Sequence, residues 1–294
     1  MNWKFTTSGE LLAAIRGSGL HFAEYLMERE AFYSESSPAQ LRSELARRIR
    51  ITRNSLDLGM TVAQRSFSGL TDGAAVRLAA AAGRLPVKDD LFRLAVTYAL
   101  AVNEVNACGG KIVAFPTAGS SGIVPGCLWA WRDAREPDLD ADSPRFQDAF
   151  VAASAVGMLV AARATLAGAA GGCQAECGAA AAMATAGLCS LMGLDFEASV
   201  DAAALSLKNC LGLACDPVAG LVEVPCVKRN AFMAANALTA ATLAAAGIRS
   251  AIPFDEVVGA LKSIGDSLPA ALKENAEGGL AATPTGLAVK IRIT

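Results

Sequence analysis

Cysteine is the residue of this sequence that most invites chemistry. Three of its eight cysteines stand where helical patterns stop: in Gly171-Gly172-Cys173-Gln174-Ala175-Glu176, in Cys215-Asp216-Pro217 and in Val224-Pro225-Cys226. A metal–sulfur centre needs backbone N–H donors around its sulfurs, and helix ends and Gly-rich turns have such donors free. Helix N-termini also favour a thiolate and the negative charge of a cluster, and Lys228 and Arg229 add positive charge just after Cys226. Taken singly, any of these cysteines reads equally well as a buried space-filler. Cys173 and Cys177, four apart, share one helix face and could supply half of a four-thiolate zinc site. The close spacing of ferredoxin ligands is absent. Spacing alone leaves iron–sulfur and zinc open.

The second constellation is the loop Phe115–Gly126, which packs two Pro, three Gly and three hydroxyls into one turn. Within it, the backbone N–H groups and hydroxyls of Thr117, Ala118, Gly119, Ser120 and Ser121 form a nest for an anion, either a substrate carboxylate or a cofactor phosphate. A plain structural turn is the bland alternative. A pyridoxal phosphate enzyme would use such a loop too, but it needs a Schiff-base lysine, and Lys111 and Lys208 carry no supporting motif. The single histidine, His21, lies in an N-terminal helical stretch away from these motifs and is expected to be a surface or packing residue.

The elements that must position these residues are helices. Hydrophobic residues make up 53% of the 294, charged ones 18% and aromatic ones only 6%, so the apolar content is mostly Ala, Val and Leu. Small side chains let helices approach closely, and Ala is the best helix former. Ser37-Pro38 and Ser143-Pro144 are helix starts, with the cap first and Pro in the first turn. Asp89-Asp90 opens an apolar helical pattern that lasts to Gly109-Gly110, and a last amphipathic helix is predicted near Phe254–Leu268. The run Asp133–Ser143 reads as an exposed connection, the helix after Ser143 as running toward Gly171-Gly172, and the tail beyond Leu268 as irregular. The expected fold is all-α, a compact multi-helix domain over residues 1–294 with cluster-binding loops at helix ends; a subdivision near 133–143 is the alternative.

Charge and hydropathy exclude several partners. A formal charge of −2 and a pI near 5.6 leave no electrostatic footprint for nucleic acid or an anionic membrane. Arg163 interrupts the Ala-rich stretch 151–170, which argues against a membrane span. Met1-Asn2-Trp3-Lys4-Phe5 has no export-signal pattern, so a soluble cytoplasmic protein with reduced thiols is expected.

The motifs resemble a family, the α subunit of the iron–sulfur-dependent L-serine dehydratases (L-serine ammonia-lyases). The resemblance runs through Asn103-Glu104-Val105-Asn106, Pro116-Thr117-Ala118-Gly119-Ser120, the Gly171–Glu176 run and Lys208-Asn209 with Leu211-Gly212-Leu213. It continues through the long block from Cys215 to Ala231 and closes with Gly278–Gly286. It implies a [4Fe–4S] cluster on Cys173, Cys215 and Cys226, with pyruvate and ammonia as products. Three ligands would leave one iron open as a Lewis acid for the β-hydroxyl of serine, with the carboxylate on the Thr117–Ser121 loop. Cys108, Cys127, Cys177, Cys189 and Cys210 match no ligand position of the family. No base for the α-proton is identifiable. Fused members of the family carry a β region with a Ser/His-rich motif absent here, so the chain is expected to be the α half of an oligomer with a separate β subunit. The motifs also allow β-elimination from cysteine or threonine, and a non-catalytic zinc-binding helical scaffold is the reading from another class.

Overall fold

Capping residues decide where most helices begin. The computed structural model describes residues 3–63 and 65–293, so Met1 and Asn2 of the chain start and Thr294 at its end lie outside the described residues. Thr7 and Glu10 form a capping box before α1 (Ser8–Ser18), which is followed by α2 (Phe22–Ser34). Ser37 and Gln40 form another around the first turn of α3 (Pro38–Thr61), with Pro38 at its first position. The short α4 (Ala74–Ala80) has its first amides held by the Glu104 carboxylate, at 2.6 and 3.0 Å. Asp89 caps α5 (Asp90–Ala107) by accepting from Phe92 N at 3.0 Å. After α6 (Ile123–Arg135), Ser143 caps α7 (Pro144–Arg163). The remaining helices are α8 (Gly168–Gly171), α9 (Ala179–Leu191), α10 (Phe196–Lys208), α11 (Cys226–Ala245), α12 (Phe254–Ser267) and α13 (Pro284–Ile293). No strand occurs among the described residues, and the all-α expectation holds.

A helix apolar on every face has to be enclosed. Helix α9, with no charged residue, is that helix: all of it except Ser190 is buried. It packs against α6, α7, α10 and α11, while α5 lies between α6, α11 and α3. One large core draws on residues from Phe5 to Leu261, on both sides of the 133–143 connection. By length and composition α7 could cross a membrane, but 67% of its most apolar window is buried in the protein.

Four expectations need correction. The loop predicted to Gly126 ends at Gly122, and Pro125 and Gly126 belong to the first turn of α6, where Pro loses no hydrogen bond. Gly126 is required there because a Cβ would come within 2.7 Å of Ala99 N, and one at Gly122 within 2.1 Å of Ala99 O. Asp133 is no part of an exposed connection: it lies in the last turn of α6 and accepts from Arg53, Arg132 and Tyr98. The helix after Ser143 stops at Arg163, and the chain bends before α8 so that Gly168 can meet the cysteines. The tail contains α13, started at Pro284 after Thr283, whose hydroxyl accepts from Gly286 N at 3.1 Å.

Candidate functional site

Three segments bring cysteines together. Cys173 follows α8 and opens a π-helical turn, Gln174–Gly178; single π turns often mark functional sites. That turn puts Cys177 beside Cys173 on one face, where the two thiols shift each other's pKa. Cys226 is the first residue of α11, just after the cis Val224–Pro225 bond. Cys215 differs from the expectation that all three sit at helix ends. It lies in an extended stretch beyond α10, in an isolated parallel bridge to Lys273. Its N–H donates to Leu272 O at 2.9 Å, and its carbonyl accepts from Glu274 N at 2.7 Å. A tail segment distant in sequence, not a helix terminus, therefore holds this ligand position in place.

The thiols are electrostatically unequal. Hydrogen bonds from Cys177 and Cys215 hold the Cys173 thiol well below its ordinary range against the effect of burial, with Arg229 adding to the shift. Cys177 and Cys215 are pushed up in turn, chiefly by that same pairing with Cys173. Cys226 is pushed up to about 12, mostly by burial, so its helix-terminal position does not by itself make it a thiolate. The largely buried Arg229 side chain donates to Ala214 O at 3.0 Å and lies 3.7 Å from Asp216 Oδ1. Asp216 Oδ2 accepts from Leu280 N at 2.8 Å and ties the tail down over the site. Lys228, by contrast, is exposed.

Glu176 is a site residue to which sequence reasoning assigned no role. Its Oε2 lies 3.8 Å from Cys215 Sγ, and one ligand atom each from Glu176, Cys215 and Glu274 fall within 4.8 Å of one another. Burial first, then the charges of Cys173 and Glu274, raise its pKa to about 7, while hydrogen bonds from Thr117 and Cys215 oppose the rise. A Cβ at Gly168 would come within 2.5 Å of Glu176 Oε2 and 3.0 Å of Cys215 Sγ, so only glycine leaves this wall of the pocket bare. The signal in the sequence was a carboxylate three residues after Cys173.

The Thr117 hydroxyl shares a hydrogen bond with Ser120 Oγ at 3.0 Å and lowers the Glu176 pKa against the effect of burial. Ser120 and Ser121, expected among the binding hydroxyls, are fully buried. The Ser120 hydroxyl donates to Phe115 O at 2.9 Å, and Ser121 Oγ accepts from Asn103 Nδ2 at 3.4 Å. Ala118 is exposed and Gly119 half-buried, and their amides have no intramolecular acceptor among the described residues. The loop immediately precedes α6, whose N-terminal end favours an anion. Asn103 and Asn230, both fully buried, hold it from behind. Glu223, buried within an apolar run, accepts from Ser66, Ser68 and Thr71 at 2.5, 2.8 and 2.9 Å and pins residues 66–71 to the segment before Cys226.

The other candidates are elsewhere. Lys111 is exposed, and Lys208 Nζ donates to Ser250 Oγ at 3.1 Å. His21 Nδ1 lies 3.7 Å from Asp148 Oδ2, and its ring packs on Phe22. Cys127 and Cys189 are buried, with thiols pushed up to about 12 by that burial. Soft sulfur donors, a guanidinium beside the lowest-pKa thiol and a wall kept bare by Gly168 suit a metal–sulfur centre.

Known proteins share this chain's pattern almost end to end. A family model described as serine dehydratase alpha chain matches residues 17–281. The chain is 42% identical, over 98% of its length and 95% of the relative's, to the probable L-serine dehydratase alpha chain of Bacillus subtilis (strain 168). It is 39% identical to the L-serine dehydratase alpha chain of Peptoniphilus asaccharolyticus over 97% of its own length and 96% of the other. The L-serine dehydratase of Streptomyces coelicolor is 37% identical over 96% of this chain, a match that spans 61% of that longer protein.

Proposed function

This chain belongs to the serine dehydratase alpha-chain family, and from that premise we propose that it is the iron–sulfur subunit of a lyase that converts L-serine to pyruvate and ammonia in the cytoplasm. The observation that carries the reading is the convergence of Cys215 and Glu176, 3.8 Å apart, at a wall kept bare by Gly168, with the largely buried Arg229 anchored on the neighbouring Ala214 O. Cys173, Cys215 and Cys226 would hold a [4Fe–4S] cluster, which with three protein ligands supplies an open iron as Lewis acid toward a β-hydroxyl. The Ala118 and Gly119 amides bind the substrate carboxylate at the N-terminal end of α6. Glu176, 3.8 Å from Cys215 Sγ, faces the substrate ammonium. Arg229 offsets the negative charge that three thiolates bring.

The acceptor of the α-proton comes from a β subunit. His21 is engaged with Asp148 on another part of the molecule, two of the relatives are themselves named alpha chains, and the Streptomyces relative extends well beyond this chain's match.

Anaerobic reconstitution followed by iron, sulfide and zinc analysis tests the centre; about four irons and four sulfides per chain are expected. Stoichiometric zinc without sulfide would end the cluster reading. It would favour instead a metal on Cys215, Glu176 and Glu274, whose ligand atoms already lie together. Assays of pyruvate from L-serine, 2-oxobutyrate from threonine and sulfide from cysteine, with the β chain present, test the substrate.

A further inference from the structure

We propose that Asn230 is the positioning residue that sets the substrate loop in register with the cysteine pocket, an inference that rests on the serine dehydratase reading above. Asn230 stands one helical turn after Cys226 on α11 and is fully buried. Its Nδ2 donates to Cys226 O at 2.9 Å and to Gly119 O at 2.8 Å, and its Oδ1 accepts from Gly122 N at 3.0 Å. Every one of these bonds ends on backbone, and on only two segments: the ligand-bearing turn of α11 and the loop that receives the carboxylate.

The side-chain chemistry is specific. A primary amide of this length offers two donor hydrogens and an acceptor at once, so one residue can hold a ligand's carbonyl, a loop carbonyl and a loop amide together. From the other side Asn103, on α5, donates to the same Gly119 O at 3.0 Å and to Ala118 O at 3.2 Å. With its carbonyls drawn inward to the two asparagines, the loop keeps the Ala118 and Gly119 amides for substrate. Asn230 thus fixes the loop directly to the carbonyl of a candidate ligand residue. Packing alone would not require a buried amide with all its bonds on functional backbone; unlike Asn103, whose Oδ1 has no partner, Asn230 has every polar atom of its side chain paired, and such buried bonds rigidify what they join.

The test compares the wild-type holoenzyme with its β chain against Asn230→Asp and Asn230→Ala. The aspartate keeps shape and the acceptor for Gly122 but cannot donate to Gly119 or Cys226. Misplacement of a binding group by about 1 Å can cost on the order of 10²-fold in rate. Both variants are therefore expected to lose kcat/KM on that order per loaded cluster, through a higher KM for serine as well as a lower kcat. Iron content should be retained, and the serine-induced change in the visible spectrum of the centre should need more serine. A merely structural residue would cost iron and thermal stability yet leave KM per loaded cluster within twofold of wild type (about 0.4 kcal/mol), and that result would overturn the proposal. Hydrogen exchange on the wild-type holoprotein decides the matter if neither variant folds. Loop amides near Gly122 protected like the first turn of α11 support the clamp; free-chain exchange there overturns it. A wild-type enzyme making no pyruvate from L-serine would sink the reaction reading, while the exchange measurement would still judge the clamp.

Discussion

At the Cys173 thiol, partners decide more than position. Cys177, Cys215 and Arg229 make it the strongest thiolate of the group, whereas Cys226, at a helix terminus, is pushed up to about 12 by burial. Serine in place of Cys173, Cys215 or Cys226 is expected to abolish both iron binding and pyruvate formation; a Cys215→Ser protein that kept its full iron content would show the ligand assignment wrong. Cys189→Ala should keep iron and activity and cost only packing stability. Glu176→Gln should leave iron unchanged but weaken serine binding by about 1.5–3 kcal/mol, the value of a hydrogen bond to a charged group. Steady-state kinetics would read that as a roughly 10- to 100-fold rise in KM. Motif and neighbours single out the three cysteines as candidate ligands. Glu176 was not, because its meaning depends on Cys215 and Thr117, which reach it only through folding.

Helices place these groups, and glycines decide how closely they can do so. The spacing of Gly122 and Gly126 lets the first turn of α6 press on α5 at Ala99, which carries the loop toward Asn103. Alanine favours a helix over glycine by about 0.8–1 kcal/mol, but an added methyl 2.7 Å from Ala99 N brings an overpacking cost of about 1–3 kcal/mol. Gly126→Ala should therefore lower stability in chemical unfolding. Gly259 of α12 has open space where a methyl would stand, with no atom within 4 Å, so Gly259→Ala should raise stability by about 0.5–1 kcal/mol. Gly168→Ala should keep the helical signal in circular dichroism yet fail to load iron, since its methyl would occupy space beside Cys215 Sγ. Helix starts at Ser37, Asp89 and Ser143 were legible because caps are local; the end of α7 and the presence of α13 were not, because contacts with other segments set them.

For the whole molecule, the proposed division of labour puts the ligands and a carboxylate seat on the helical body and the proton acceptor on another chain. Loaded chain alone is expected to give little pyruvate from serine, and addition of the β chain to restore it, in a coupled assay; full turnover by the isolated chain would contradict the division of labour. The buried α9 gives this body a continuous apolar centre, and its four neighbouring helices carry or abut the site's segments.

From the sequence alone came the all-α class and, as candidates, the three cysteines and the loop, because helix propensity, capping and a long ordered motif are written in neighbouring residues. Tertiary structure decided the rest: that Cys215 is held by the tail at Lys273, that Ser120 and Ser121 turn inward, and that Asn230 joins the loop to the Cys226 carbonyl. The physical reason is range. A cap or a periodic face depends on residues within a turn or two, whereas a pocket is made by side chains that only the packed chain brings within hydrogen-bonding distance.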